Sequence, residues 1–196
     1  MSGEGTIAMV RLSRCVALVG LAFGVVLSPQ AVLAGGGGDE VLYGRPLPQG
    51  ELGVACFVRH YDRAHLDAHP EQRVTDMVAL AYRQEGPGTP ESVFNMTLRF
   101  RNIPGDQQFP GVCQSVVGSP RLACGVECDG GSFAVIGRGE TSILVDISGG
   151  ISSCDGELPA GAGFGRDDKI FRLDRTDIAA CRDLMWDDEM RPRLLE

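Results

Sequence analysis

The stretch from Cys113 to Phe133 constrains this chain more than any other. It holds three of the seven cysteines and a clear hairpin signal. Gly118-Ser119 reads as the centre of a type II′ turn, whose first central position needs a positive φ that glycine takes without strain. Folding the chain there sets Val117 against Pro120 and, counting outward, Cys113 against Cys124. Directly opposed antiparallel residues have Cα atoms about 4.5–5.5 Å apart, within disulfide reach. Leu122, Cys124, Val126 and Cys128 then share a face, and Asp129-Gly130-Gly131 reads as a second tight turn.

Whether those cysteines pair depends on where the chain goes. Arg11 and Arg14 precede an apolar run, Val16–Leu27, followed by Val32-Leu33-Ala34. That is the order of a secretory leader, and the run is short of the roughly 20 apolar residues of a membrane span. Glu4 is unusual in a basic leader, so translation from Met9 would give a cleaner one. Cleavage after Ala34 leaves 162 of the 196 residues and removes Cys15. The six remaining cysteines, in an exported chain, favour three disulfides over thiol or metal chemistry. Six cysteines allow 15 pairings. The set adopted here is Cys113–Cys124, Cys128–Cys154 and Cys56–Cys181, the last tying the first strand to the tail. The expected destination is the periplasm or the medium, with no membrane insertion once the leader is removed.

The body of the chain reads as strands. Phe94, Met96, Leu98 and Phe100 alternate with Asn95, Thr97, Arg99 and Arg101, a two-residue period that suits a strand with one wet face. Further strands are expected at Val54–Tyr61, Arg73–Arg83 (with Val74, Val78, Leu80 and Tyr82 on one side), Gln108–Val117, Arg121–Cys128, Ser132–Arg138, Thr141–Ser148 and Lys169–Asp174. Asp62–His69 reads as a helical turn stopped by Pro70. Thr176 or Asp177 caps a short helix through Leu184. About eight strands with short links predict a mainly β chain, a single antiparallel up-and-down barrel or sandwich with a short C-terminal helix, stapled by disulfides. The expected organisation is a signal peptide over 1–34, an irregular segment over 35–53 that opens on a flexible glycine run, the barrel over 54–186, and a frayed acidic tail over 187–196.

Charge excludes one function class. The formal net charge of −8 becomes −9 as the leader takes Arg11, Arg14 and Glu4, so a basic nucleic-acid footprint is absent. No Gly-x-Ser-x-Gly elbow occurs, and six paired cysteines leave no thiolate nucleophile. His65 and His69 are four apart, so a helical turn puts both on one face, where Asp62 or His60 could complete a metal set. The alternative is that they cap and pack a surface turn. Asp155–Asp168 combines carboxylates with glycines and could hold Ca²⁺, although its spacing is not that of an EF-hand loop. Phe94, Met96, Leu98 and Phe100 would line an apolar cavity if the barrel holds a small ligand. The Asn95-Met96-Thr97 sequon lies mid-strand.

Leu122–Phe133, with Lys169–Arg175 and Ala180-Cys181, resembles small exported bacterial proteins to which no activity is assigned, and Tyr61–Pro70 is similar to their early segment. Cys128–Val135 is also similar to the opening strand of the C-type lysozyme inhibitor family, which implies a disulfide-tied periplasmic barrel that blocks an enzyme. That family's Ala-Ser-Gly-x-Lys/Arg-Tyr loop has no counterpart beyond Ile147-Ser148-Gly149-Gly150, so no inhibitory residue carries over. The reading is a non-enzymatic exported module, without a cofactor, that binds a small molecule or an exported protein. An inhibitor of an exported hydrolase and a metal-dependent enzyme built on His65 and His69 are the alternatives.

Overall fold

The computed structural model describes residues 37–83, 92–154 and 158–195, all within the unit Leu33–Glu196. The expected leader, the Gly86–Pro90 loop and the Asp155–Glu157 part of the glycine-rich loop lie outside the described residues. Nine strands follow in order: β1 (Val54–His60), β2 (Val74–Arg83), β3 (Ser92–Phe100), β4 (Gln107–Phe109), β5 (Gly111–Ser115), β6 (Arg121–Val126), β7 (Ser132–Gly137), β8 (Ser142–Asp146) and β9 (Ile170–Thr176). Sequence neighbours pair antiparallel except β4 with β5, and β9 returns to β1 through Cys56–Val58. The result is a closed up-and-down barrel rather than a sandwich. β4 and β5 both pair with β3 and share one barrel position, interrupted at Pro110, which has no N–H for the ladder.

The alternation read in β3 places Phe94, Met96, Leu98 and Phe100 inside, with Phe57, Met77, Phe109, Phe133, Val135, Ile143, Val145, Phe171 and Leu173 in the same buried cluster. β2 departs from the expected pattern. Val78, Leu80 and Tyr82 face outward, whereas Val74 joins the inner cluster. The register slips between Val74 and Asp76, and this bulge at Thr75 reverses the phase of the strand.

Both faces of β2 are apolar because its outer face is covered too. A 3-10 helix over Ile178–Leu184 and helix α3 (Arg191–Leu195) pack Leu184, Met185 and Met190 against Leu80, Tyr82 and Val93. Asp177, not Thr176, caps the 3-10 helix, its side chain accepting from Ala179 N. Residues 187–195 are therefore a strap rather than a frayed tail; Asp187 Oδ1 accepts from Glu189 N and Met190 N to start its turn. Asn95 is buried beneath the strap and its Nδ2 donates to Leu184 O at 2.9 Å, which withdraws the sequon from any glycosylating enzyme.

All three disulfides of the adopted set are present: Cys56–Cys181, Cys113–Cys124 and Cys128–Cys154. Such bonds persist in oxidising compartments. No helix among the described residues is long and apolar enough to cross a membrane.

The segment before β1 is irregular only over residues 44–53, which carry bends and a turn. Gly37–Tyr43 forms helix α1, with Asp39 and Glu40 in its first turn, where the helix dipole favours acid. Leu42 is fully buried in the inner cluster, so α1 closes one end of the barrel. Two of the glycines read as a linker, Gly37 and Gly38, pack closely against the barrel. A methyl group on Gly37 would sit 2.9 Å from Ser119 O, and one on Gly38 would overlap Ser115 Oγ and lie 2.8 Å from Leu122 Cδ2.

Candidate functional site

The candidate sites fall at different places on the barrel. Phe94, Met96 and Leu98 have no exposed surface and Phe100 has 2 %. Phe133 lies 5.7 Å from Phe94, centroid to centroid, and Phe164 lies 5.4 Å from Phe100. These four side chains belong to the buried cluster on the inner face, together with Phe109, Phe133 and Phe171. They form the packed core of a small barrel.

The histidines lie at the opposite end from α1. Helix α2 (Arg63–Ala68) is capped by Asp62, whose side chain accepts from His65 N. His69 Nδ1 meets His65 O at 2.8 Å, and His65 Nε2 meets Gln72 Oε1 at 3.0 Å. The Tyr61, His65 and His69 rings stack in sequence, with centroids 4.6 and 4.1 Å apart. His60 turns away to Asp76, Nδ1 to Oδ1 at 2.6 Å. The sequence places His65 and His69 on one face correctly, but the face packs instead of coordinating. Among the described residues no group of three His, Cys, Asp or Glu side chains is placed to hold a metal ion. The metal set of His65, His69 and Asp62 is thereby corrected to a capped and stacked turn. Burial pushes the Tyr61 phenol up, against the opposing pull of the Arg59 guanidinium 4.9 Å from its ring.

The described part of the glycine-rich loop has a structural role as well. Asp168 is buried and accepts from Arg73 N and Gly165 N at 2.8 Å each and from Val74 N at 3.2 Å. Three backbone donors occupy this carboxylate and tie the loop to the start of β2. Gly165 packs against the backbone at Glu71 too closely for any side chain.

The remaining feature is the β5–β6 hairpin. Val117 is 97 % exposed and Val116 41 %, and with Ile170 these are the exposed large apolar side chains among the described residues. Ser119 N donates to Val116 O at 3.0 Å, so Val117-Gly118 forms the centre of the turn, one residue earlier than the type II′ reading. Gly118 takes its positive φ of 74° at the second central position, where a type II turn needs it. Arg121 N donates to Ser119 Oγ at 3.1 Å. Behind the tip, Cys113 and Cys124 are directly opposed and bonded, with Cα atoms 4.1 Å apart. Leu122 anchors the returning strand in the core, and α1 packs against the hairpin from the barrel end. The tip is thus apolar, convex and held at its base by a covalent bond.

The sequence carried a signal for this surface. Two valines beside a turn glycine cannot both be buried at a hairpin end. Counting the turn one residue too late concealed it. Comparison of the chain with protein-family models, curated proteins and solved structures finds no match in any of the three.

Proposed function

We propose that this protein is an exported, non-catalytic recognition module that binds another protein through the tip of its β5–β6 hairpin. The observation that carries the reading is Val117, exposed over 97 % of its surface on a hairpin closed by Cys113–Cys124. An apolar side chain held in water at the end of a braced hairpin has little conformational freedom left to lose on docking. Burying one valine contributes on the order of 1.5 kcal/mol. The inner face is lined by buried aromatic and aliphatic side chains, which leaves the outer surface and the loops as the parts open to a protein partner. Export is supported by the leader-like sequence over 1–34 and by the disulfides.

A second reading is favoured by the shape of the tip: a stiff convex hairpin suits the cleft of an exported hydrolase, which would make the module an inhibitor. One experiment tests both. Mature protein and its Val117→Asp variant are immobilised and compared for retention of exported proteins from the source cells, with Asp106→Asn as a remote control. A protein retained by the native chain and the control but not by Val117→Asp supports recognition by the tip. Slowing of a hydrolase that disappears in Val117→Asp supports the inhibitor reading. Equal retention by all three refutes the role of the tip.

A further inference from the structure

We infer that helix α1 is a buttress that holds the β5–β6 tip in its working geometry, so that proteolytic loss of the residues ahead of Gly44 switches recognition off. This rests on the recognition reading above and supplies its regulation. Beyond the Cys113–Cys124 bond the hairpin keeps only the pairs Gln114–Ala123 and Ser115–Leu122 before its turn. So short a ladder is marginal in water without a packed neighbour. On the returning strand the β7 ladder runs on to Arg121–Ile136 and supplies that neighbour; at the turn and over Ser115 it is α1. Gly37 lies against the Ser119 carbonyl in the turn, and Gly38 lies against Ser115 and Leu122 on the two strands, both at distances that admit no side chain.

The buttress is seated by non-covalent contacts alone. Leu42 fills the core below it. Arg175 Nη2 donates to Leu42 O at 2.8 Å, and Tyr43 Oη meets Ser92 Oγ at 2.9 Å. Arg83 pairs with Asp39 at 3.4 Å and donates to Leu47 O at 3.0 Å. None of the three disulfides reaches the helix. Gly44 ends it at φ 75°, its N–H donating to Glu40 O, and Gly50 follows at φ 81°. Residues 44–46 and 48–50 between the helix and β1 are exposed, the kind of segment proteases nick first. A single cut there severs α1 from the barrel while every disulfide stays intact.

The test is amide hydrogen exchange on the mature chain, starting at Gly35 with its disulfides formed, in the native sequence and in Gly38→Val. In the native chain, amides of residues 38–43 and 114–120 are expected to open together, with the same denaturant dependence. In Gly38→Val, exchange over 114–120 is expected to rise at least tenfold while β8 keeps its native rates. Native hairpin rates in Gly38→Val alongside accelerated α1 exchange would overturn the inference. If that variant loosens throughout, the native chain decides: α1 opening without the tip overturns it. Failure of the recognition reading is separable. A loosened tip in Gly38→Val with undiminished partner retention by Val117→Asp would leave the packing role of α1 but refute the switch.

Discussion

The three disulfides close loops of very different length, and that difference makes a quantitative prediction. Cys113 and Cys124 are separated by 11 residues, and Cys56 and Cys181 by 125. Loop-closure entropy gives about 3 kcal/mol for the short bond and about 5 kcal/mol for the long one. The two shorter bonds lie inside the long loop and reduce its effective length, which lowers the larger figure by roughly a few tenths of a kcal/mol. The comparison is clean because all four cysteines are buried, so replacing either pair with alanine loses similar packing. The perturbations are Cys56→Ala/Cys181→Ala and Cys113→Ala/Cys124→Ala, read by equilibrium urea unfolding. With an m-value of about 2 kcal/mol/M, the long-loop variant should lose about 2.5 M in midpoint and the hairpin variant about 1.5 M. Against a total stability on the order of 5–15 kcal/mol, a loss of about 5 kcal/mol removes between roughly a third and all of it. Equal losses, or a larger loss for the hairpin bond, would refute the reasoning that the Cys56–Cys181 bond acts chiefly by tying the C-terminal strap to β1.

Other expectations follow from the same structure. Asp168→Asn leaves a single acceptor oxygen facing three backbone donors and should cost about 2–3 kcal/mol in a thermal melt; an unchanged midpoint would show that the carboxylate does not hold the glycine-rich loop. Phe94→Ala empties a fully buried site at the barrel centre and should cost about 3–5 kcal/mol by urea unfolding, whereas a ligand-lining residue would cost far less. All three tyrosines have phenols pushed up by burial: Tyr82 to about 12, and Tyr43 and Tyr61 also above their usual value. A raised phenol pKa favours the folded state below the unfolded value of about 10 and loses that contribution as pH climbs through the folded value. Absorbance at 295 nm should therefore stay flat through pH 10 in the native protein and stability should fall above it; a native titration centred on 10 would contradict the buried positions.

Much of this fold was legible in the sequence, for physical reasons. The two-residue period of Phe94–Phe100 survives on the inner face of β3, whereas its other face is open only towards Thr97 and Arg99, because the strap covers Val93 and Asn95. Counting outward from a turn located Cys113 opposite Cys124, and the opposition holds although the turn itself is centred on Val117-Gly118. What escaped depends on tertiary contacts that leave no periodic mark. Four consecutive glycines read as a linker because glycine disfavours helix, yet Gly37 and Gly38 are needed where α1 meets the hairpin. The bulge at Thr75 moved Val74 to the inner face, and the strap over β1–β3 made Val78, Leu80 and Tyr82 interior from the other side. The histidine spacing correctly predicted a shared face, but spacing cannot tell ring stacking from coordination.

The central claim is that three disulfides close a barrel with a buried apolar interior, on which the proposed surface recognition rests. Native mass spectrometry of the unreduced protein tests it most directly. The account predicts the mass of the polypeptide less two hydrogens for each of the three disulfides, with no retained small molecule. Free thiols in the processed chain, or a stoichiometric non-covalent adduct released on unfolding, would contradict it.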